Sequence, residues 1–375
     1  MNGALLPEAT RDRFYLPPDA IYLKSHSVGC QPRAAEALLR DKLLVPWRET
    51  GEAWPHWLDA IDEWRAALAG LIGVEARDLC PATNVTAGLS RYISALGQAT
   101  DRRTILLAPS AFPTIGYLAS GLAAAGWKTR YLPDDADVRD PANWAAALGD
   151  DVALVIAMHV SSNSGALTDM AAVAAAAKAA GARCIADCAQ SVGVVPATPA
   201  GWGVDAALGT SVKWLCGGPG AAWLWVAPHD RTALDPMERG WWSHEKPFEM
   251  DIRDFRYASD ARRWWGGTPD VAPFILSTAG IAEIAAIGVD AVRAHNRALQ
   301  AMLRDALETK TPQWRWPTGA IGGTLCIETG ADQSRVAEAL DRHRLRADFR
   351  GSVMRLSFHA YCNAADVEKT AAALG

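Results

Sequence analysis

The sequence lacks the features that mark membrane and secreted proteins. No apolar run among its 375 residues is both long enough and sufficiently free of charge to span a bilayer. Its start, MNGALLPEATRDRFYLPPDA, has no basic stretch followed by an apolar one, so we expect no signal peptide. Seven cysteines, an odd number without regular spacing, suit a reducing compartment better than a disulfide framework. We therefore expect a cytoplasmic protein with no membrane partner.

Several common ligand-binding motifs are also missing. The chain has no Walker A loop, no HExxH motif and no G-x-G-x-x-G motif that opens a helix. A nicotinamide-dependent Rossmann enzyme would need that glycine fingerprint after its first strand. Cys184 and Cys188 are not followed by a second Cys or His pair, so we expect no metal site. The net charge of −5 gives no general reason to expect nucleic acid as a partner.

What is present is the composition of an ordinary globular protein. Hydrophobic residues make up 50% of the chain and charged residues 21%. A chain of this length is too long for one small core, so we expect two closely joined domains. Tryptophan is abundant, at 16 residues, and we expect most of it to pack in cores and interfaces.

The middle of the chain alternates strand and helix patterns. The short apolar runs at 103–110, 151–160 and 182–188 are typical of strands that are buried on both faces. Between the last two lies TDMAAVAAAAKAAG, an alanine-rich helix that Thr168 or Asp169 can cap and that Gly181 ends. This strand–helix–strand unit predicts a mostly parallel sheet. The runs at 204–211 and 221–228 continue it, and a glycine turn joins them.

The pattern changes near residue 270. A long amphipathic helical stretch, FILSTAGIAEIAAIGVDAVRAHNRALQAMLRDAL, is followed by strand, helix, strand and helix patterns. Asn363 and Asp366 have the spacing of a capping box at the start of the last helix. We predict a large domain over residues 22–270 and a small α/β domain over 271–375, with residues 1–21 packed against the small domain.

Three polar groups stand at positions where ligands of open α/β sheets bind, beyond the carboxyl ends of strands. Asp187 ends the run RCIAD, Lys213 follows VDAALGTS, and Thr86 opens a predicted helix. A lysine amine can form a Schiff base with an aldehyde, and a carboxylate can pair with a protonated pyridine nitrogen. A helix N-terminus can bind a phosphate. Each residue alone also has an ordinary structural explanation, but together they indicate pyridoxal 5'-phosphate.

An ordered set of segments resembles a known family. The segments are YLKSHSVGCQP, DCAQSVGVVP, WGVDAALGTSVKWLCGGPGAAWLWV, GWWSHEKPFEMD, ARRWWGGTPDVAP and VMRLSFHAYCNAADV. In this order they resemble the class V aminotransferase family of pyridoxal-phosphate enzymes, and most of all the kynureninases, from about residue 22 to the end. The resemblance implies an α/β protein of fold type I, with a mostly parallel sheet in the large domain and a smaller C-terminal α/β domain.

The resemblance also implies roles for individual residues. Lys213 is the expected catalytic residue, which binds the cofactor aldehyde and then moves protons at the substrate α and γ carbons. The other residues expected at the cofactor are Asp187 at the pyridine nitrogen, Gln190 at the phenolic oxygen, Phe112 against the ring, and Val85, Thr86, Thr210, Trp241 (or its neighbour Trp242) and Thr268 on the phosphate side. Arg355 is expected to bind the substrate α-carboxylate, and His26 to lie near the substrate entrance.

The expected reaction is hydrolytic cleavage of the Cβ–Cγ bond of an L-amino acid, as in kynureninases. Two positions differ from the kynureninase pattern, because Val212 and Ile115 stand where a tyrosine and an acidic residue are expected. An aminotransferase, a β-eliminating lyase of the cysteine type, and a non-catalytic cofactor-bound sensor or assembly protein therefore stay open as alternatives. A persulfide-forming desulfurase is disfavoured because RHRLRADFRGSVM contains no cysteine. We expect a homodimer with shared sites, in which Thr268 comes from the other subunit.

Overall fold

The computed structural model describes residues 5–375. Within that range the strands are β1 Ile21–Tyr22, β2 Leu79–Ala82, β3 Thr104–Leu107, β4 Lys128–Tyr131, β5 Val152–Met158, β6 Arg183–Asp187, β7 Ala206–Thr210, β8 Ala222–Val226, β9 Thr324–Glu328, β10 Leu345–Arg346, β11 Asp348–Arg350 and β12 Val353–Ser357. The α-helices are α1 Ala34–Leu39, α2 Val45–Glu49, α3 Trp54–Ile72, α4 Val85–Ala99, α5 Pro113–Gly121, α6 Pro141–Ala147, α7 Met170–Ala179, α8 Pro199–Trp202, α9 Pro228–Ala233, α10 Ala272–Ile287, α11 Val289–Leu307, α12 Gln333–Arg342 and α13 Ala364–Leu374.

The largest sheet has seven strands in the order β2-β8-β7-β6-β5-β3-β4. The pairs from β4 through β7 are parallel, whereas β8 is antiparallel to both β7 and β2. Strands β3, β5 and β8 are buried along their whole length, as expected for a sheet covered on both faces. The expectation of a mostly parallel sheet in an α/β fold is confirmed.

The crossover helix α7 begins and ends where its sequence indicates. Asp169 is its N-cap, and the side chain of Asp169 accepts a hydrogen bond from the Ala172 amide at 3.0 Å. The helix ends at Ala179, and Gly181 then adopts a positive φ of 70° that favours glycine. This crossover leads from β5 to its parallel neighbour β6, whose last residue is Asp187.

Strands β7 and β8 form the hairpin that carries Lys213 in its connection. Thr210 pairs with Ala222, so residues 211–221 form the loop at the carboxyl end of β7. The predicted glycine turn lies in this loop, where Gly218 and Gly220 have positive φ angles of 71° and 94°. The hairpin therefore presents the lysine at the edge of the sheet where β5 and β6 also end.

The second sheet is small and antiparallel, in the order β11-β12-β9. Helices α12 and α13 pack beside it, and the predicted capping box is present at the start of α13. The Asn363 side chain accepts from the Asp366 amide at 2.9 Å, and the Asp366 carboxylate accepts from the Asn363 amide at 3.1 Å. The predicted strands and helices of the C-terminal region are confirmed.

The long helical stretch after residue 270 is two helices and not one. Helices α10 and α11 meet at Gly288 with an angle of 79° between them. Gly288 has a φ of 88°, which a right-handed helix cannot contain, so the chain turns there. No single helix in residues 5–375 is long and apolar enough to cross a membrane, and only the bent pair α10 and α11 reaches that length and apolarity together.

The apolar core of residues 5–375 forms three clusters, of which the two largest surround the seven-stranded sheet and the small antiparallel sheet. One large cluster of buried residues surrounds the seven-stranded sheet and extends to Phe274 and Ile281 of α10. A second cluster surrounds the small sheet and includes Phe14 and Leu23 from the start of the chain. The division into domains at residues 22–270 and 271–375, with residues 1–21 against the small one, stays a prediction.

Candidate active site

A cavity of about 300 Å³ opens at the carboxyl ends of β5, β6 and β7. Most of the residues predicted to bind the cofactor line it together. These are Val85, Thr86, Phe112, Asp187, Gln190, Thr210 and Lys213. The structure thus brings together groups that are up to 128 positions apart in the sequence, from Val85 to Lys213.

Lys213 lies in this cavity with an amine that is largely shielded from water. Its Nζ atom lies 5.4 Å from the centre of the Phe112 ring. Burial lowers the pKa of Lys213 to about 8; Asp187 opposes this shift, whereas the positive charges of Arg350 and Arg355 add to it. An amine with this pKa is partly neutral near physiological pH and can serve as a nucleophile or a base.

Asp187 is a buried carboxylate with few partners of its own. Its side chain is at the end of β6, and the residue is 5% exposed. The Ala189 amide donates to its Oδ1 atom at 2.9 Å, and no ion pair to Asp187 exists among residues 5–375. Burial raises its pKa, against the influence of the Ala189 hydrogen bond and of Lys213. A buried carboxylate is costly without a cationic partner, and a protonated ring nitrogen of pyridoxal phosphate would supply one.

The first turn of α4 faces the same cavity. Asn84 is the N-cap, and its side chain accepts from the Ala87 amide at 2.9 Å. The amides of the first helical residues, Val85 and Thr86, have no acceptor within the helix. Thr86 and Thr114 meet through their hydroxyl groups at 3.5 Å, and Thr210 lines the wall nearby. Free amides and hydroxyls at a helix N-terminus are a donor set that fits a phosphate group.

Gln190 lines the cavity and also ties two segments together. Its Nε2 atom donates to the His26 carbonyl at 3.0 Å, and its Oε1 atom accepts from the Trp214 indole at 3.2 Å. Its amide keeps a second N–H group. The predicted contact of Gln190 with the phenolic oxygen of the cofactor stays a prediction, as does the stacking of Phe112 on the cofactor ring.

Arg355 is held by a carboxylate that the sequence reasoning missed. Asp348 lies opposite Arg355 in the β11–β12 pair, and Nε and Nη2 of Arg355 each donate to Asp348 at 2.7 Å. Nη1 donates to the Ser162 carbonyl at 3.2 Å. Although burial raises the pKa of Asp348, hydrogen bonds from His26 and Arg355 hold it well below its usual range. One N–H group on Nη1 and one on Nη2 of Arg355 are not used by these hydrogen bonds.

His26 belongs to the same cluster. Its Nε2 atom lies 3.0 Å from Asp348 Oδ1, and its Nδ1 atom lies 2.6 Å from the Ser357 hydroxyl. Burial lowers the pKa of His26, against the influence of Asp348 and with that of Arg355. Neither His26 nor Arg355 lines the cavity, so their predicted contacts with a substrate stay predictions.

Trp241 and Thr268 lie outside the cavity within a single chain. They contact each other, because the Trp241 indole donates to the Thr268 hydroxyl at 3.2 Å. Trp241 also packs edge-on against Trp54 and Phe248, with ring centres 6.5 Å and 5.6 Å apart. The predicted phosphate-side role of this pair requires a second subunit and stays a prediction.

Several cavity residues were not singled out from the sequence as site residues. They are Thr83, Asn84, Thr114, Met158, Val160, Ser162, Ala189, Pro219 and Gly220. Thr83, Thr114 and Ser162 have a recognisable signal, since each follows a strand end and carries a hydroxyl. Asn84 has the residue type of a helix N-cap. The others cannot be told from ordinary core or turn residues without the fold. Val212 and Ile115, the two positions that differ from the kynureninase pattern, also line the cavity.

Comparisons with known protein sequences agree on one family. The profile of the family "Aminotransferase class-V" matches residues 40–370. A kynureninase from Burkholderia mallei is 31% identical over 301 residues, which cover 77% of this chain and 71% of the relative. A kynureninase from Deinococcus radiodurans is 34% identical over 272 residues, which cover 70% of this chain and 64% of the relative.

Solved structures agree on the fold. An apo cysteine desulfurase from Thermococcus onnurineus superimposes with a TM-score of 0.85 at 20% identity, covering 98% of this chain and 96% of the other. A variant of C-DES in which a lysine is replaced by alanine, with glycine covalently linked to its pyridoxal-phosphate cofactor, superimposes with a TM-score of 0.86 at 19% identity. The match covers 97% of this chain and 98% of the other. The fold is that of pyridoxal-phosphate enzymes of fold type I, and the donor set in the cavity fits this cofactor.

Proposed function

Because the chain belongs to the aminotransferase class-V family and is a pyridoxal-phosphate-dependent enzyme, we propose that it cleaves the side chain of an L-amino acid by hydrolysis of the Cβ–Cγ bond. One observation carries the proposal: the shielded amine of Lys213 and the under-partnered carboxylate of Asp187 line one cavity. The similarity to kynureninases at 31% and 34% identity supports this reaction over others of the family.

Lys213 is the residue to which we assign the proton transfers. Bound pyridoxal phosphate supplies an electron sink that stabilises negative charge at the substrate α-carbon. With the cofactor bound, the Lys213 amine would accept the α proton of the substrate. It would later return a proton to Cβ, which keeps the electron pair when the Cβ–Cγ bond breaks and water supplies the oxygen at Cγ. A pKa of about 8 suits both tasks, because the two protonation states are then both populated near neutral pH.

The remaining residues bind and orient. Asp187 keeps the ring nitrogen protonated, since a carboxylate at short distance favours the charged form of a base. The amides at the start of α4 bind the phosphate together with Thr86 and Thr210. Arg355, held in place by Asp348, binds the substrate α-carboxylate with its remaining donors.

An aminotransferase or a β-eliminating lyase is the second candidate. Val212 and Ile115 line the cavity, and they replace the hydroxyl and the carboxylate expected there in kynureninases. A valine can neither donate a proton nor bind a phosphate, so the hydrolytic step would rest on Lys213 and water. Transamination and β-elimination need no second proton donor beyond Lys213.

We further propose that the enzyme is a cytoplasmic homodimer with shared sites. All seven cysteines are unpaired and buried, which suits a reducing compartment. Trp47, Trp54, Trp57, Trp241 and Phe248 form a chain of edge-on ring contacts, which we call the tryptophan patch. Its outermost rings are exposed, Trp47 to 65% and Phe248 to 62%, so the patch is a face for a second copy.

Product analysis tests the reaction. The cofactor-loaded enzyme is incubated with L-kynurenine, with L-cysteine, and with L-alanine plus an α-keto acid. We expect alanine and anthranilate from L-kynurenine. Lys213→Ala should lower the rate of this reaction by about 10²- to 10⁴-fold or more. Lys178→Ala, on the exposed side of α7, is the matched control and should leave the rate unchanged. Amino-group transfer to the α-keto acid, or sulfide release from L-cysteine, without anthranilate from L-kynurenine would contradict the hydrolase. Either result would support the second candidate, an aminotransferase or a β-eliminating lyase.

A further inference from the structure

The β11–β12 hairpin carries a second arginine beside Arg355. Arg350 pairs with Val353, and Asp348 pairs with Arg355, so these four side chains project from the same face of the hairpin. Arg350 and Arg355 are diagonal neighbours in this arrangement, a relationship that sets Cβ atoms about 7–8 Å apart. Both arginines also contact Ser162, which lines the cofactor cavity.

Arg350 differs from Arg355 in having no acidic partner. Its Nη1 atom donates to the Ser162 hydroxyl at 3.1 Å and to Asn163 Oδ1 at 2.6 Å, which are both neutral acceptors. No carboxylate forms an ion pair with Arg350 in the described part of the chain, and its Nε and Nη2 atoms have no acceptor there. These two atoms form the edge of a guanidinium group that binds an anion in bidentate fashion.

Arg350 also lies close to the reacting amine. The centre of its guanidinium group is 5.6 Å from the centre of the Phe112 ring, and Lys213 Nζ is 5.4 Å from the same ring centre. The Phe112 ring therefore has the catalytic amine and a half-buried guanidinium group as neighbours. Arg350 does not itself line the cavity, but its hydrogen bond to Ser162 joins it to the cavity wall.

Arg350 and Arg355 differ in the anions that contact them. The Asp348 carboxylate accepts hydrogen bonds from Arg355 and none from Arg350. A substrate whose one carboxylate is bound by Arg355 leaves Nε and Nη2 of Arg350 without an acceptor. A second anionic group on the substrate supplies that acceptor.

We propose that Arg350 recognises an anionic group in the substrate side chain, so that the preferred substrates are L-amino acids with an acidic side chain. The inference rests on the proposed function in one respect, because it assumes that Arg355 takes the α-carboxylate. It leaves the reaction class unchanged and names the substrate class of the same site. Arg350 is then a specificity-determining residue.

Pairs of nearly isosteric ligands test this assignment. The cofactor-loaded enzyme is titrated with L-aspartate against L-asparagine and with L-glutamate against L-glutamine, and the dissociation constants are read from the cofactor absorbance. In at least one pair we expect the acid to bind about tenfold more tightly than the amide. Arg350→Gln should reduce that ratio to about one, and Arg350→Lys should retain part of it. Arg342→Gln, an exposed arginine in the last turn of α12, is the matched control.

A second measurement needs no reaction. Succinate should raise the melting temperature of the cofactor-loaded wild type more than butyrate does, and this difference should vanish in Arg350→Gln. Equal binding of acids and amides by the wild type, or equal weakening of both by Arg350→Gln, overturns the assignment of Arg350. If no amino acid, L-kynurenine included, changes the cofactor spectrum, the proposed function fails, and the succinate comparison still decides whether Arg350 binds a second anion.

Discussion

Lys213 acquires its reactivity from burial, which lowers its pKa to about 8 against the opposing charge of Asp187. At pH 7 about a tenth of such amines are neutral, compared with less than one in a thousand for an unperturbed lysine. The cofactor-free enzyme therefore already contains a lysine that is prepared for reaction with an aldehyde. Burial, and not proton transfer to a neighbouring base, makes the Lys213 amine partly neutral at this pH.

The titration of Lys213 can be measured in the cofactor-free enzyme. Acetylation by acetic anhydride, quantified at Lys213 by peptide mass spectrometry, should increase with pH through an inflection near pH 8, because only the neutral amine reacts. Asp187→Asn should move the inflection to lower pH, since it removes the charge that raises the pKa of Lys213. Acetylation of the exposed Lys369 corrects for loss of reagent. An inflection at pH 10 or above contradicts the burial argument.

Asp187 and Lys213 could be predicted from the sequence because each follows an apolar strand run of the parallel sheet. Asp348 and Arg350 could not be singled out, because their importance depends on a partner strand. Only the register of β11 against β12 places Asp348 opposite Arg355 and Arg350 on the same face. The α-carboxylate role of Arg355 was predicted without knowing that three of its five N–H donors are already used.

Helix α10 supports the loop of residues 211–221, which we call the catalytic loop because it carries the proposed catalytic residue Lys213, through a face of small residues. The Ser277 hydroxyl donates to the Ser211 hydroxyl at 2.6 Å and accepts from the Trp64 indole at 2.8 Å. Gly280 lies against the backbone of Leu215 and Cys216, directly after Lys213 in the loop. A helix can approach a loop this closely only where it lacks side-chain atoms.

A methyl group at Gly280 should therefore separate α10 from the catalytic loop. Its Cβ atom would overlap the Leu215 carbonyl oxygen, so Gly280→Ala should lower the free energy of unfolding by about 1–3 kcal/mol and weaken cofactor binding. Gly70→Ala is the matched control, because Gly70 is a glycine of α3 with no atom near its Cβ position. It should raise the free energy of unfolding by about 0.5–1 kcal/mol. Urea denaturation measures both, and a neutral Gly280→Ala would refute the close-packing argument.

Among the elements, the regular strands and capped helices were predictable and the break between α10 and α11 was not. Asp169 and the Asn363–Asp366 box determine where helices begin, and these short-range signals are visible in the sequence. The apolar pattern continues through Gly288. No local sequence signal therefore shows whether one helix continues through this glycine or two helices meet there at 79°. Packing of α10 on the catalytic loop and of α11 on the small sheet decides the outcome.

At the scale of the whole molecule, the resemblance implies that one chain alone holds an incomplete cofactor site. Trp241, a member of the tryptophan patch, donates a hydrogen bond to Thr268, and neither residue lines the cavity. In the proposed dimer, the resemblance predicts that Thr268 of each subunit reaches the cavity of its partner. The proposed dimer is then a condition for full cofactor binding.

Mixing two inactive variants tests the shared site. Lys213→Ala and Thr268→Ala are denatured together and refolded, so that mixed dimers form alongside the two parental dimers. If Thr268 acts across the interface, half of the sites in each mixed dimer are intact, and about a quarter of the wild-type activity should return. Refolding each variant alone is the control. No recovery in the mixture, with dimers verified by sedimentation, would show that Thr268 serves its own subunit or none.

The loop that carries Lys213 is held by residues from distant parts of the chain. The Gly29 amide donates to the Val212 carbonyl at 2.8 Å, and Gly280 packs on the other side of the loop. Contacts between residues so far apart in sequence form late in folding, after the local strand–helix units of the sheet. During synthesis, the lysine leaves the ribosome long before its support from α10 exists. We therefore expect the absorbance of the bound cofactor to recover only in the last stage of folding, later than the helix content of the protein.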